Sequence, residues 1–226
     1  MASDRDRRLR RLEAARLYFV CEGLPGGRDP GPLLDAALRG GADIVQLREK
    51  SPRPDEELIA LADPFHRAAT EHRALFILND RPDLVAACEA DGVHVGQQDM
   101  AVAEARRLAG SETLVGLSTH SRKQVEAACE ADGEDRPDQI SVGPVWATPT
   151  KEGRPGTGLG LVECAAGEAT IPWFAIGGID TRNVSSVVAA GAERIVVVRA
   201  IRDAQGPAAA ARRLREALEA GVGAAR

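Results

Sequence analysis

Gly41-Ala42-Asp43-Ile44-Val45-Gln46-Leu47-Arg48-Glu49-Lys50 holds four signals in order: a helix end, a tight turn, a short apolar run and a polar exit. Glycine suits the left-handed residue that closes a helix, here the helical stretch 33–38. The run 43–47 is long enough for a buried strand and too short for a helix. The same grammar returns as Ala90-Asp91-Gly92 before Val93, and as Gly191-Ala192-Glu193 before Ile195-Val196. Working outward, eight such runs are found, at 17–21, 43–47, 75–78, 92–95, 114–117, 139–142, 173–176 and 194–198. Segments with helical spacing lie between them, among others 55–72, 121–131, 183–190 and 208–220, so strand and helix alternate to the end. Eight βα units in 226 residues predict a single-domain α/β protein, a (β/α)8 TIM barrel over 17–222, preceded by a polar arm or helix at 1–16. The competing doubly wound sheet lacks its marker, because no GxGxxG follows the first run.

Composition narrows the function classes. Hydrophobic residues are 44% and charged residues 28%, the balance of a soluble globular protein. With 3% aromatics and a net charge of -5, the chain offers neither the basic surface nor the stacking rings of a nucleic-acid binder. Cys21, Cys88, Cys129 and Cys164 are isolated from one another and read as small buried hydrophobes of a reducing compartment. The arginine-rich start lacks an apolar segment behind it, so it reads as solvated rather than as a secretory signal. No apolar run is long enough to cross a membrane. The expected location is cytoplasmic, with neither membrane nor nucleic acid as partner. Of 29 basic residues only Lys50, Lys123 and Lys151 are lysines, and two of them fall at strand ends.

In a barrel of this kind chemistry sits at the carboxyl ends of the strands. Side chains alternate along a strand, so Gln46, Arg48 and Lys50 share a face with Ile44. Three donors, two of them cationic, suit a polyanion; the plain alternative is a solvated strand end stopped by Pro52. Asn79-Asp80 close the third run and Gly96-Gln97-Gln98-Asp99 the fourth. Taken alone, Asp80 reads equally as a turn cap and Asp99 as a helix cap. Together, beside Arg48 and Lys50, they suit Mg2+, which takes one or two carboxylates and fills its remaining positions with phosphate oxygens and water. Ser118 is placed to donate to a phosphate, Ser121 to cap the next helix, and His120 reads as structural. Thr148, Thr150 and Lys151 precede a Gly-rich stretch at 153–158 and read as an anion clamp with a candidate lid; a polar surface loop is the plain alternative. Gly178 and the last strand end, Val198-Arg199, occupy the position where these barrels commonly bind phosphate. Two anion sites are thus expected, one of Arg48, Lys50, Lys151 and the carboxylates, the other of Gly178 and the eighth strand end.

From about Leu17 to Ile201, Gln46-Leu47-Arg48-Glu49-Lys50, Asn79-Asp80, the stretch from Asp91 to Asp99, Gly116-Leu117-Ser118, Gly143-Pro144 with Thr148-Pro149-Thr150-Lys151, and Ile176-Gly177-Gly178-Ile179 occur in an order that resembles thiamine-phosphate synthases. The resemblance implies condensation of 4-amino-2-methyl-5-hydroxymethylpyrimidine diphosphate with 4-methyl-5-(2-phosphonooxyethyl)thiazole, giving thiamine phosphate and diphosphate. It assigns Gln46, Arg48, Lys50, Asn79, Ser118 and Lys151 to the pyrimidine diphosphate, with Arg48, Lys50, Lys151 and Ser118 catalytic. It assigns Asp80 and Asp99 to Mg2+, and Thr148, Thr150, Gly178, Val198 and Arg199 to the thiazole phosphate. Arg199 departs from the serine common at that position. Partners are then small phosphorylated molecules, and a homodimer is compatible with the sequence. A thiazole tautomerase or regulator of the same barrel family would work through His120, with Asp99 and the Thr148–Lys151 run degraded; both are intact. The remaining rival is a non-catalytic phosphate-binding barrel.

Overall fold

The eight apolar runs pair edge to edge until the sheet closes on itself. In the computed structural model, which describes residues 3–49, 51–148 and 155–224, the strands are β1 (Leu17–Cys21), β2 (Ile44–Leu47), β3 (Leu75–Asn79), β4 (Gly92–Val95), β5 (Leu114–Thr119), β6 (Gln139–Val142), β7 (Trp173–Ile176) and β8 (Ile195–Val197). All neighbours are parallel, in sequence order, and β1 pairs with β8, so no strand edge is left open. The helices are α1 (Asp4–Ala14), α2 (Gly31–Arg39), α3 (Asp55–His72), α4 (Val102–Ala109), α5 (Arg122–Glu130), α6 (Gly160–Glu168), α7 (Val184–Ala189), α8 (Arg199–Arg202) and α9 (Pro207–Ala224). The expected alternation fails once. Between β3 and β4 the chain makes only a 3-10 turn, Pro82–Leu84, with Pro82 at its start and Glu89 in a left-handed conformation before the next strand.

Two apolar clusters follow from the two faces of the strands. Outward residues such as Phe19, Val45, Phe76, Val93, Val115, Ile140 and Ile195 pack against Leu34, Phe65, Val125, Val162, Val187 and Leu214 of the helices. Inward residues Tyr18, Ile44, Leu75, Leu114, Phe174 and Val196 fill the lower half of the barrel. Above that layer the inward positions become polar: Gln46, His94, Ser118, Gln139 and Ser141 are all buried.

Acids just before β2, β4 and β6 share one job, whereas Glu193 of the third repeat pairs instead with Arg16 and Arg194. Asp43 accepts from the backbone N–H groups of Arg16 and Leu17 at 2.7 and 3.0 Å, Asp91 from Phe76 at 3.0 Å, and Asp138 from Val115 at 2.7 Å. Each carboxylate thereby satisfies donors at the start of the preceding strand. Each also takes an arginine: Arg215 at 2.6 Å, Arg8 at 2.8 Å, and for Asp138 both Arg5 at 2.5 Å and Arg106 at 3.1 Å.

Two of those arginines belong to α1, and the amino-terminal helix is not the solvated element its charge suggested. Ser3 and Asp6 form a reciprocal capping box at its start. Leu12 is 2% exposed and joins the inner apolar cluster, so α1 closes the bottom of the barrel. Five arginines between positions 5 and 11 obscured this role, because the helix buries few apolar residues and docks largely through Arg5 and Arg8. Leu12→Ala should cost about 2–4 kcal/mol of stability, as expected for a leucine truncated in a well-packed layer. Urea unfolding measures it, and activity per folded molecule should be unchanged.

Candidate active site

Because the lower layer is filled, the space inside the barrel opens only toward the carboxyl ends of the strands, as a cavity of about 300 Å3. Gln46, Arg48, Asn79, Ser118, Thr148, Gly178, Val198 and Arg199 line it, so eight residues expected from the sequence share one continuous space. Residues expected in each of the two anion sites thus border the same space. Lys50, Thr150 and Lys151, with positions 153 and 154 of the Gly-rich stretch, lie outside the described residues.

Gln46 is held from below: its amide donates to the buried Tyr18 hydroxyl at 2.5 Å. Burial pushes the Tyr18 pKa up, so the phenol stays neutral and acts as a fixed acceptor. Arg48 follows on the same face and makes no ion pair within 4.0 Å among the described residues, which leaves its guanidinium open to an anion in the cavity. Asn79 ends β3 and donates to the Asp80 carboxylate.

Asp80 and Asp99 stand at the rim beside Arg48, within hydrogen-bonding reach of each other. Asp80 has a left-handed backbone, φ 60°, which is costly for a non-glycine residue, and its N–H is tied to the His94 carbonyl at 2.9 Å. Asp99 does not cap the following helix, whose N-cap is Ala101. It folds back instead, accepting from the Gly96 N–H at 2.8 Å, and this aims it at Asp80. Partial removal from water and then the Asp99 charge push the Asp80 pKa up to about 6, while Asn79 and Arg48 pull it down.

On the far side, Val145 and Trp146 extend the β6–β7 pairing to the carbonyls of Ile176 and Gly177, at 2.8 and 3.1 Å. Gly177 and Gly178 have φ of 108° and 67°, and a Cβ on Gly177 would come within 2.5 Å of Pro144. Only glycine fits this close approach of two strand ends. Asn183 holds the turn by donating to the Gly178 carbonyl at 2.9 Å. The N–H groups of Thr157 and Gly158 donate to the carbonyls of Pro144 and Val145 at 2.7 and 2.9 Å. Arg199 is exposed at the mouth, and its charge reaches Asp203.

The sequence reading placed Ser121 correctly as the α5 cap. His120 lines the cavity with Nδ1 2.5 Å from the Gly143 carbonyl. Tyr18, His94, Ser141, Asp180 and Arg182 also line the cavity and were not singled out. For Tyr18, His94 and Ser141 the signal was available: the inward alternation that selects Gln46 and Ser118 selects them too.

A model of the family described as thiamine monophosphate synthase matches residues 17–201, the whole closed barrel from the first residue of β1 into α8. The chain belongs to this family. A thiamine-phosphate synthase of Arthrobacter sp. (strain FB24) is 47% identical over 93% of this chain and 97% of its own length. One of Thermobifida fusca (strain YX) is 47% identical over 95% and 97%. The solved thiamine phosphate pyrophosphorylase of Pyrococcus furiosus superposes with a TM-score of 0.80 at 28% identity, covering 93% of this chain and 98% of that one.

The facing carboxylates of this family member set a pH signature. Asp80 binds its proton more tightly in the folded chain than the ordinary 3.8 of an unfolded one, so the metal-free protein loses stability as pH rises from 3.8 to about 6. Asp99→Asn removes the facing charge and keeps an acceptor for Gly96. At about pH 7.5 the variant should be more stable by about 1 kcal/mol, a value discounted for an exposed pair, and the gain should vanish below about pH 4. Urea unfolding across that range without divalent cations tests it.

Proposed function

We propose that the cavity joins 4-amino-2-methyl-5-hydroxymethylpyrimidine diphosphate to 4-methyl-5-(2-phosphonooxyethyl)thiazole, releasing diphosphate and forming thiamine phosphate. Thiamine-phosphate synthase activity, and with it the transferase class, comes with the family. One observation carries the finer reading: Arg48, Asn79 and Ser118 line one end of the cavity, and two facing carboxylates stand beside Arg48. Acids and bases so mixed suit a metal-bound diphosphate better than a bare anion.

Asp80 and Asp99 fit Mg2+. Both offer hard oxygens, their repulsion is relieved by a cation, and among the described residues no further His, Cys, Asp or Glu gathers with them. Such a pair leaves the other positions to phosphate oxygens and water. Bound there, Mg2+ would supply positive charge against the diphosphate leaving group.

The chain's own residues do the rest. Arg48, Lys50 and Lys151 add fixed positive charge where the diphosphate oxygens gain negative charge, and Ser118 and Asn79 donate to them. Gln46, locked by Tyr18, fixes the position of the pyrimidine diphosphate. The C–O bond of the pyrimidine methylene breaks with its electron pair leaving on diphosphate, and the electron-rich aminopyrimidine carries the cation. Thr148, Thr150, Gly178, Val198 and Arg199 hold the thiazole phosphate at the other end, so the thiazole nitrogen faces the methylene and supplies the new C–N electron pair. No protein nucleophile is required. The apolar layer beneath the cavity keeps water from the cation on that side.

Mixing both substrates with Mg2+ should yield thiamine phosphate and diphosphate in equal amounts; binding without product would mark a phosphate-binding barrel instead. Lys151→Ala should lower kcat by about 100-fold, the order expected for losing one preorganised partner of a developing charge, with a much smaller change in KM for the thiazole phosphate. An unchanged kcat would remove Lys151 from the leaving-group site.

A further inference from the structure

We infer that Gln139 is a positioning residue that decides which ring nitrogen of His94 carries the proton, and through His94 which way the Ser118 hydroxyl points. The inference deepens the proposed function and rests on its reading of Ser118 as a donor to the diphosphate. Along the register, His94 of β4, Gly116 of β5 and Gln139 of β6 lie side by side, with Ser118 opposite Ser141 one inward position higher. Gly116 is what lets the outer two meet. A Cβ at Gly116 would lie 2.0 Å from Gln139 Nε2 and 2.6 Å from His94 Nδ1. Across that gap Gln139 Nε2 and His94 Nδ1 are 3.1 Å apart, and His94 Nε2 is 3.0 Å from Ser118 Oγ and 3.5 Å from Ser141 Oγ.

The amide orientation follows from what surrounds it. Gln139 is 4% exposed, and its Oε1 is buried without a hydrogen-bond partner. Turning the amide over would strand both NH2 protons, against one proton and the carbonyl in the orientation observed, and an orphaned buried donor is the rarer deficit. The NH2 group therefore donates to Nδ1. A neutral ring that accepts at Nδ1 carries its proton on Nε2, and that proton is donated to Ser118 Oγ. Ser118, having accepted, has its own proton left to aim into the cavity at an anionic oxygen. In the opposite tautomer Ser118 would donate back to Nε2 and turn lone pairs toward the diphosphate.

Long-range 1H–15N spectra of protein labelled with 15N-histidine read the tautomer directly. The parent should show His94 protonated at Nε2. Gln139→Glu, whose carboxylate can only accept, should draw the proton onto Nδ1, lower kcat by roughly tenfold, the factor for one hydrogen bond to a charged group, and leave KM for the thiazole phosphate within about twofold. Gln139→Leu removes the donor and the stranded carbonyl together, so its thermal midpoint should change little while the spectra no longer show a single fixed tautomer. If Gln139→Glu does not fold, Gln139→Leu serves, with loss of the single tautomer as its readout. A parent tautomer protonated at Nδ1, or a tautomer change without loss of kcat while Ser118→Ala is impaired, overturns the inference. Unchanged kcat in Ser118→Ala overturns the reading of Ser118 itself and the catalytic consequence drawn from it, and the spectra still report the relay independently.

Discussion

A closed barrel of eight strands has a fixed interior, and what fills its lower half decides where anything can bind. Tyr18 and Phe174 meet edge to face, with ring centroids 5.6 Å apart at 85°, in a layer completed by Ile44, Leu75, Leu114 and Val196. Aromatic pairs prefer this geometry, and here it links β1 to β7 across the intervening β8. Leu12 and Ala15 seal the layer from below. The only polar side-chain atom in the layer is the Tyr18 hydroxyl, and Gln46 satisfies it at the boundary. Apolar filling and polar cavity are thus joined by one hydrogen bond, and the site is confined to the strand ends.

Charge is sorted along the same axis. Arginines at the bottom are spent on Asp43, Asp91 and Asp138, each of which also closes backbone donors of a neighbouring strand. At the mouth, Arg48 and Arg199 line the cavity with no carboxylate bound to them among the described residues. The net charge of -5 describes the whole surface and conceals this division. It argues at the level of composition against a nucleic-acid partner and is silent about a locally basic cavity mouth.

Legibility in the sequence followed the strength of the local signal. Strands 17–21 and 173–176 were readable to the residue because a buried parallel strand is an unbroken apolar run between turns. The β3–β4 connection was not, since Pro82 and a nearby left-handed Glu89 replace a helix whose absence no periodicity announces. The docked α1 was missed because salt bridges to Asp91 and Asp138, more than 80 positions away, do the work usually left to apolar residues. In the site, residues at strand ends were found because the fold says where to look. Asp99's turn onto Gly96 and Gln139's contact with His94 were not, since both depend on backbone and register that only the folded chain supplies.

The polar floor and the charged rim then divide the chemistry between them. A cation formed at the pyrimidine methylene must meet the thiazole nitrogen before it meets water, so charges strong enough to draw off diphosphate belong at the rim, away from the reacting carbon. Neutral donors belong deeper, where an unpaired charge would be costly. His94, Gln139, Ser118 and Ser141 are all buried, and in the proposed relay each acts by aiming a dipole rather than by carrying charge. Such groups reorganise little when charge moves, which is the condition under which a fixed hydrogen bond stabilises a transition state more than the ground state.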